Sequence, residues 1–290
     1  MKCSPCPGYI NEVNRVNEKI ELLNVTKTYQ HAGSLVYALN NINLTIPQGQ
    51  FVGIVGMNGS GKTTLARLLN GLILPSSGKV LVNGMDTTDP RYHKDIRRLV
   101  GMVFQNPDNQ IINPIVEEEV AFGVQNLHFS AAEVSRRVTW ALQAVGLSDL
   151  RHHAPHLLSG GQKQRLAVAA ALAMCPAYLV LDEPTSMLDQ SGRSELILCL
   201  EELRREHGIT IIMISHVMEE VARADRLIVL YQGNIHLDGS PWEVFSSPEF
   251  EHIGMTPPPI ARLTNVLIEQ EHQIDKRIVT FEQMVEFLCP

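Results

Sequence analysis

The chain has 290 residues, with 24 Lys and Arg against 31 Asp and Glu and a formal net charge of −7. That length admits one or two domains with a full core, and a composition of 44% hydrophobic and 19% charged residues excludes a disordered chain. The acidic balance excludes broad nonspecific nucleic-acid binding, which needs dense Lys and Arg against phosphate, yet leaves room for a local anion site built from backbone N–H groups.

Residues 1–17 are polar, contain Pro and Gly, and read as a flexible tail. Cys3 and Cys6 form a lone C-x-x-C there, without the second pair a tetrahedral zinc site usually requires. Cys175, Cys199 and Cys289 lie scattered downstream and read as small buried or terminal residues. Five cysteines do not close a disulfide framework, so a reducing compartment is expected. Lys2 is followed by no apolar segment of the kind a secretory signal carries.

From Lys19 to Thr26 polar and apolar residues mix at strand spacing, and Ile42, Leu44 and Ile46 alternate at period two. Pro47-Gln48-Gly49 signals a turn into Phe51–Val55, a short apolar strand. A glycine loop then opens a helix bearing Leu65, Leu68 and Leu69. Val80–Val82 followed by Asn83-Gly84 reads as a strand and tight turn, and Leu99–Phe104 as another strand. Residues 106–176 are helical in character, most clearly over Ala131–Ala144 and Gln162–Ala173. Leu166 to Leu181 is apolar apart from Pro176, but its sixteen residues fall short of the roughly 20 that cross a bilayer. The break at Cys175-Pro176 makes it a buried helix running into a core strand. Leu179–Leu181, Thr210–Ile214 and Leu227–Leu230 are buried strands separated by helical stretches such as Glu195–Glu206 and Glu219–Arg223, which implies a mostly parallel sheet. Beyond Gly239-Ser240-Pro241 the pattern loosens. Thr256-Pro257-Pro258-Pro259 marks a linker before Ile260–Gln270, and Thr280–Leu288 predicts a last amphipathic helix.

Gly56-Met57-Asn58-Gly59-Ser60-Gly61-Lys62-Thr63, continued by Thr64, matches G-x-x-x-x-G-K-[ST] between a buried strand and a helix. By chance the four fixed positions would arise in roughly one chain in a hundred of this length, given Gly at about 7%. Gly59 and Gly61 let successive N–H groups converge on phosphate oxygens, and the helix beginning near Lys62 adds the positive end of its dipole. Lys62 reaches the β- and γ-phosphates and the Thr63 hydroxyl ligates Mg²⁺ in such a loop. Asp182 and Glu183 end an apolar strand, where one carboxylate holds Mg²⁺ through water and the other polarises the attacking water.

Leu158-Ser159-Gly160-Gly161-Gln162 precedes a helix about twenty residues before Asp182. With this motif the chain resembles the ATP-binding cassette (ABC) ATPases, over 19–239. The resemblance implies an α/β P-loop NTPase core of RecA-like type, with an N-terminal antiparallel β subdomain, an inserted α-helical subdomain and a small C-terminal extension. It divides the chain into an ATPase domain at 18–240, with the helical subdomain about 106–176, and a dimerisation extension at 241–290. It further assigns Gln105 to the Q-loop, touching Mg²⁺ and the water, Asp189 to the D-loop at a dimer interface, and His216 to the γ-phosphate. Tyr29 takes the place of the aromatic residue that stacks on adenine, with Tyr37 and His31 as competitors. Ser159, Gly160, Gly161 and Gln162 of one subunit would close on ATP held by the other. For Asp189 a plain helix N-cap is the competing role.

Gln105-Asn106-Pro107-Asp108-Asn109-Gln110-Ile111 and Val116-Glu117-Glu118-Glu119-Val120-Ala121-Phe122-Gly123 resemble the ATPases of energy-coupling factor importers, which take up vitamins or transition-metal ions. The stretch through Pro257 and Thr280-Phe281-Glu282 resembles their dimerising extension. The resemblance implies a peripheral position on the cytoplasmic face of the membrane. It implies three partners: a second ATPase subunit (the same chain or a paralogue), a membrane-embedded coupling protein and a substrate-binding membrane protein. Ile111, Ile112, Pro114 and Val116 would line a groove for a helix of the coupling protein, or else cover the helical subdomain. Nucleic acid is not an expected partner: the long coiled-coil insertion of DNA-repair cassettes and the second unit of translation-factor cassettes are both missing from this sequence.

Overall fold

One apolar sheet with two differently clothed faces organises the molecule. The computed structural model describes residues 18–31 and 33–289, so the tail expected at 1–17, with Cys3 and Cys6, lies outside the described residues, as does the side chain of His31. In chain order, β1 (Lys19–His31) turns back into β2 (Ser34–Pro47), and β3 (Phe51–Val55) leads through the glycine loop to α1 (Lys62–Leu69). β4 (Ser77–Val82) and β5 (Met85–Asp86) form a tight hairpin, and α2 (His93–Leu99) delivers β6 (Val100–Val103). Three helices follow without a strand: α3 (Val116–Gln125), α4 (Ala131–Ala144) and α5 (Gly160–Ala173). Next come β7 (Tyr178–Asp182), α6 (Gln190–His207), β8 (Thr210–Ile214), α7 (Met218–Val221) and β9 (Arg226–Tyr231). β10 (Asn234–Gly239) turns back, and α8 (Pro241–Phe245), α9 (Pro248–His252), α10 (Pro259–Glu269) and α11 (Phe281–Leu288) complete the described chain.

The larger sheet has the order β10-β9-β3-β8-β7-β6, parallel except for the β10 edge, and a separate antiparallel sheet has the order β2-β1-β4-β5. Every residue of β3, β7 and β8 is buried, as expected where both faces are covered and the strand reads as a continuous apolar run. Period-two alternation splits that run between two cores. Phe51, Val55, Leu179, Leu181, Ile211 and Met213 face the three inserted helices and α6, whereas Val52, Ile54, Val180, Ile212 and Ile214 face α1 and the antiparallel sheet. The α/β P-loop architecture expected from the sequence is therefore present, with antiparallel layer, helical insertion and C-terminal helices in the order expected.

Several elements differ in extent from the sequence pattern. β1 and β2 run past the expected ends because Asn24 and Asn41, both at φ 51°, take up register shifts that interrupt the alternation without ending the strands. The Asn24 N–H donates to Asn43 Oδ1 at 2.9 Å and the Asn43 amide donates back to Asn24 Oδ1 at 3.0 Å, which satisfies groups the ladder leaves over. The helical stretch after residue 106 also holds single 3₁₀ turns at Pro107–Asn109, Ser148–Leu150 and Pro155–Leu157. The expected proline linker is packed rather than loose: Pro257 and Pro258 are buried, and Phe250, Ala261 and Val279 join the core beneath the helical face.

Candidate active site

Four neighbouring parallel strands, β3, β8, β7 and β6, end on the same edge of the sheet, and the chain leaving each of them carries a motif residue. The ligand edge of an open parallel sheet is this carboxyl end.

After β3, the loop opens with Gly56 at φ 153° and closes with Gly61 at φ 105°, and both positions also exclude a side chain by contact. A Cβ on Gly56 would stand 2.2 Å from the Leu230 carbonyl oxygen, and one on Gly61 2.3 Å from that of Ala38. The loop therefore folds tightly against the backbone of β9 and β2, leaving Met57, Asn58 and Gly59 exposed at its crest and Thr64 half-buried in the first turn of α1. Lys62 is buried, its Nζ donating to the carbonyls of Gly56 at 2.8 Å and Met57 at 3.1 Å. Burial lowers its pKa, opposed by the nearby carboxylates of Glu183 and Asp182. Ser60 Oγ is buried without a hydrogen-bond partner among the described residues.

After β7, the Asp182 carboxylate accepts from the Thr63 hydroxyl at 3.3 Å. Its pKa is raised, chiefly by burial; the Thr63 hydrogen bond opposes that rise and the Glu183 charge adds to it. Glu183 stands at φ 50°, a left-handed backbone that few non-glycine residues adopt, which turns its side chain away from the strand line. Two residues from the neighbouring strand ends reach it there. Gln105 Nε2 donates to one carboxylate oxygen at 2.8 Å, and His216 Nε2 lies 2.7 Å from the other. Gln105, Glu183 and His216, far apart in sequence, thus form one contiguous polar group beside Lys62, Thr63 and Asp182.

A hydroxyl and a carboxylate, both hard oxygen donors, face one another at the start of α1, a donor set that suits Mg²⁺. A carboxylate held up by burial is also one that a cation would stabilise in its charged form.

The Ser159 motif forms a different structure. Ser159 is the N-cap of α5, its Oγ accepting from the Gln162 N–H at 3.3 Å while Gln162 Oε1 accepts from the Ser159 N–H at 2.9 Å. Gln162 is thus engaged in a capping box, whereas Ser159 and Gly160 are exposed. Among the described residues a Cβ on Gly160 or Gly161 would meet nothing closer than 3.5 Å, so no contact seen within the subunit requires glycine there. Asp189 caps α6 by accepting from the Gly192 N–H at 2.9 Å. Tyr29 and Tyr37 are both exposed on the β1–β2 hairpin, and they pair with Val36 and Thr28 respectively. Alternation along the hairpin therefore sends the two rings to opposite faces. Lys27 Nζ lies 5.3 Å from the centre of the Tyr29 ring.

Residues 39–186 match the ABC transporter family model. The energy-coupling factor transporter ATP-binding protein EcfA1 of Caldanaerobacter subterraneus is 51% identical over 87% of this chain and 91% of its own length.

The chain belongs to the ABC transporter family, in its energy-coupling factor branch.

The EcfA1 protein of Clostridium novyi is 47% identical over 93% of this ABC chain and 97% of its own. Among solved structures, cbiO1 of Clostridium perfringens, described as part of the ABC transporter complex cbiONQ, superposes with a TM-score of 0.73 at 35% identity, covering 87% of this chain and 96% of that one. The cassette MJ0796, solved as a dimer in a post-hydrolysis state bound to ADP and Pi, gives 0.71 at 33% identity over 77% of this chain and 98% of that one.

Three residues of this ABC cassette escaped the sequence reading: Thr185, Ser215 and Glu220, a buried cluster directly behind Glu183 and His216. Single Ser, Thr and Glu residues carry no spacing signal, and only the fold brings them together.

Proposed function

We propose that this chain is the ATP-hydrolysing subunit of an energy-coupling factor importer, working as one half of an ATPase pair on the cytoplasmic face of the membrane. The observation that carries the reading is the convergence of Gln105, Glu183 and His216 beside Lys62, Thr63 and Asp182 on one sheet edge. In this reading the loop amides from Gly56 to Thr64 and the Lys62 ammonium bind the β- and γ-phosphates and stabilise charge as the terminal phosphoryl group leaves. Thr63, Asp182 and Gln105 hold Mg²⁺, which supplies neutralisation of the phosphate oxygens. Glu183 orients the attacking water and takes its proton. His216 steadies that carboxylate and the γ-phosphate, and Tyr29 offers the adenine a face.

The exposed Ser159-Gly160-Gly161 turn supplies the second half of the site to a partner subunit. Support comes from its glycines, which nothing inside the subunit demands, and from Met57, Leu157 and Met187, apolar side chains exposed beside the three motifs that would meet. Asp189 would lie on the same face, and Gln162 would act through the cap it forms. Residues 241–290 are proposed to extend this dimer contact. Separate membrane subunits would capture the cargo, a vitamin or a transition-metal ion, and convert dimer closure into transport. No helix among the described residues is long and apolar enough to cross a membrane.

Glu183→Gln tests the reading. It should bind ATP yet turn over at least about 10²-fold more slowly, the ordinary contribution of a general base, and should accumulate dimers on size exclusion with Mg-ATP. Native turnover would remove Glu183 from its role, and a monomer at saturating nucleotide would remove the composite site.

A further inference from the structure

Behind the catalytic group lies a buried bracket that the hydrolytic reading does not use. Glu220, in α7, is 6% exposed, and Thr185 and Ser215 are each 2% exposed. Glu220 Oε2 accepts from the Thr185 hydroxyl at 2.9 Å and from the Ser215 hydroxyl at 2.6 Å. Ser215 Oγ in turn accepts from the Val217 N–H at 2.9 Å, and the Glu220 N–H donates to the Val217 carbonyl at 3.2 Å. The segment 215–220 is thereby closed on itself, with His216 at its turn.

The two hydroxyls stand on the chains leaving two different strands. Thr185 lies two residues beyond Glu183 on the chain leaving β7, and Ser215 immediately precedes His216 on the chain leaving β8. The backbones of these strands are joined as far as the Glu183 N–H, which donates to the Ile214 carbonyl at 3.0 Å. Beyond that point the ladder ends, and one Glu220 oxygen bonds to both departing chains. Glu183 needs such a tie, because its φ of 50° is a conformation the surroundings must hold. Glu220 Oε1 is buried without a hydrogen-bond partner among the described residues, an unfavourable arrangement that stability alone does not explain.

We propose that Glu220 is a positioning residue for ATP hydrolysis: by clamping the Thr185 and Ser215 hydroxyls to one oxygen it fixes where Glu183 and His216 stand relative to each other. The inference rests on the reading of Glu183 as the base. It assigns Glu220 no contact with nucleotide, so its loss should appear in the chemical step and not in binding.

The test is steady-state ATPase and binding of a fluorescent ATP analogue by the full chain. Glu220→Ala should lower kcat by about 10²-fold, the effect of a displacement near 1 Å at a reacting group, with nucleotide affinity within about twofold of native. Glu220→Gln, whose amide oxygen still accepts both hydroxyls, should restore most of the rate. Thr185→Val with Ser215→Ala should reproduce the Glu220→Ala loss, and these variants carry the readout if Glu220→Ala does not fold. In the Glu183→Gln background, Glu220→Ala should lower the rate no further. Native kcat in Glu220→Ala, or equal losses of kcat and affinity in both the Ala and the Gln variants, would overturn the proposal. If Glu183→Gln loses turnover while Glu220→Ala keeps native kcat, the positioning role alone fails; native turnover in Glu183→Gln removes the base itself.

Discussion

Asp182 illustrates how a residue suited to its chemistry burdens the fold that holds it. Its carboxyl is buried, and that burial is the main force raising its pKa. The ionised form is therefore less comfortable in the folded chain than in water. Asp182→Asn keeps the shape and an oxygen to accept the Thr63 hydroxyl while removing the charge. It should raise the melting temperature of the nucleotide-free chain and at the same time remove Mg²⁺-dependent turnover; calorimetry and an ATPase assay on one preparation read both. A lower melting temperature would mean that the attraction to Lys62 and Arg67 outweighs the burial. Asp182 was legible in the sequence because the glycine loop makes specific an acidic pair at a strand end, a pattern that is common and weak alone. The conformation of Glu183 was not, since a positive φ at a glutamate leaves no mark in residue type.

At the scale of elements, α5 and the loop that follows β6 are joined by side-chain hydrogen bonds. The α5 side chains Lys163 and Gln164 hold the loop, Lys163 Nζ bonding to Asp108 at 2.7 Å and the Gln164 amide donating to the Phe104 carbonyl at 3.4 Å. Beside that junction a groove of about 290 Å³ is lined by Asp108, Ile112, Pro114, Pro155, His156 and Lys163 among others. Ile112 is 66% exposed there, Ile111 lines the groove while also packing against the core, and Val116 is fully buried. Of the four residues expected to line a partner groove, Val116 thus belongs to the helical subdomain instead, because it opens α3 and points into that core. Ile112→Asp should weaken copurification with membrane partners and leave the melting temperature within a few degrees of native, since an exposed substitution changes stability by only about 0.5 kcal/mol. Intact membrane assembly would remove the groove as a docking site. The helices and buried strands were readable because long apolar periodicity outweighs local propensity, whereas the ends of β1 and β2 were not, because asparagine bulges break the alternation while the hydrogen-bonded ladder continues.

For the whole molecule, the C-terminal helices are tied to the catalytic core through their packing and through Arg223. That guanidinium reaches Glu201 of α6 at 3.5 Å and also pairs with Glu282 of α11. Phe281, Val285 and Leu288 of α11 stay exposed, so the helix gains less from burial than α5, where each buried Leu or Val contributes roughly 1.5–3 kcal/mol. A partly exposed ion pair of this kind is worth at most about 1 kcal/mol. Arg223→Ala should therefore speed amide hydrogen exchange in α11 several-fold and leave β3 and β8 protected as before; equal exchange in α11 would mean that packing alone holds it. The packed position of Pro257 and Pro258 could not be read from the sequence, because a proline run signals a rigid turn without saying what it rests on.

The contact between Gly61 and Ala38 has a consequence for which molecules this protein accepts. A methyl on Gly61 would stand 2.3 Å from the Ala38 carbonyl oxygen, so the hairpin bearing both tyrosines is seated on the very turn that gathers the phosphates. On the proposed reading, with Tyr29 facing the base and the glycine loop the phosphates, that close approach of main chain to main chain would set the spacing between ring and phosphate. It would then act as a gauge, admitting ligands by their reach from flat ring to terminal phosphorus and leaving the ring's edge substituents little examined.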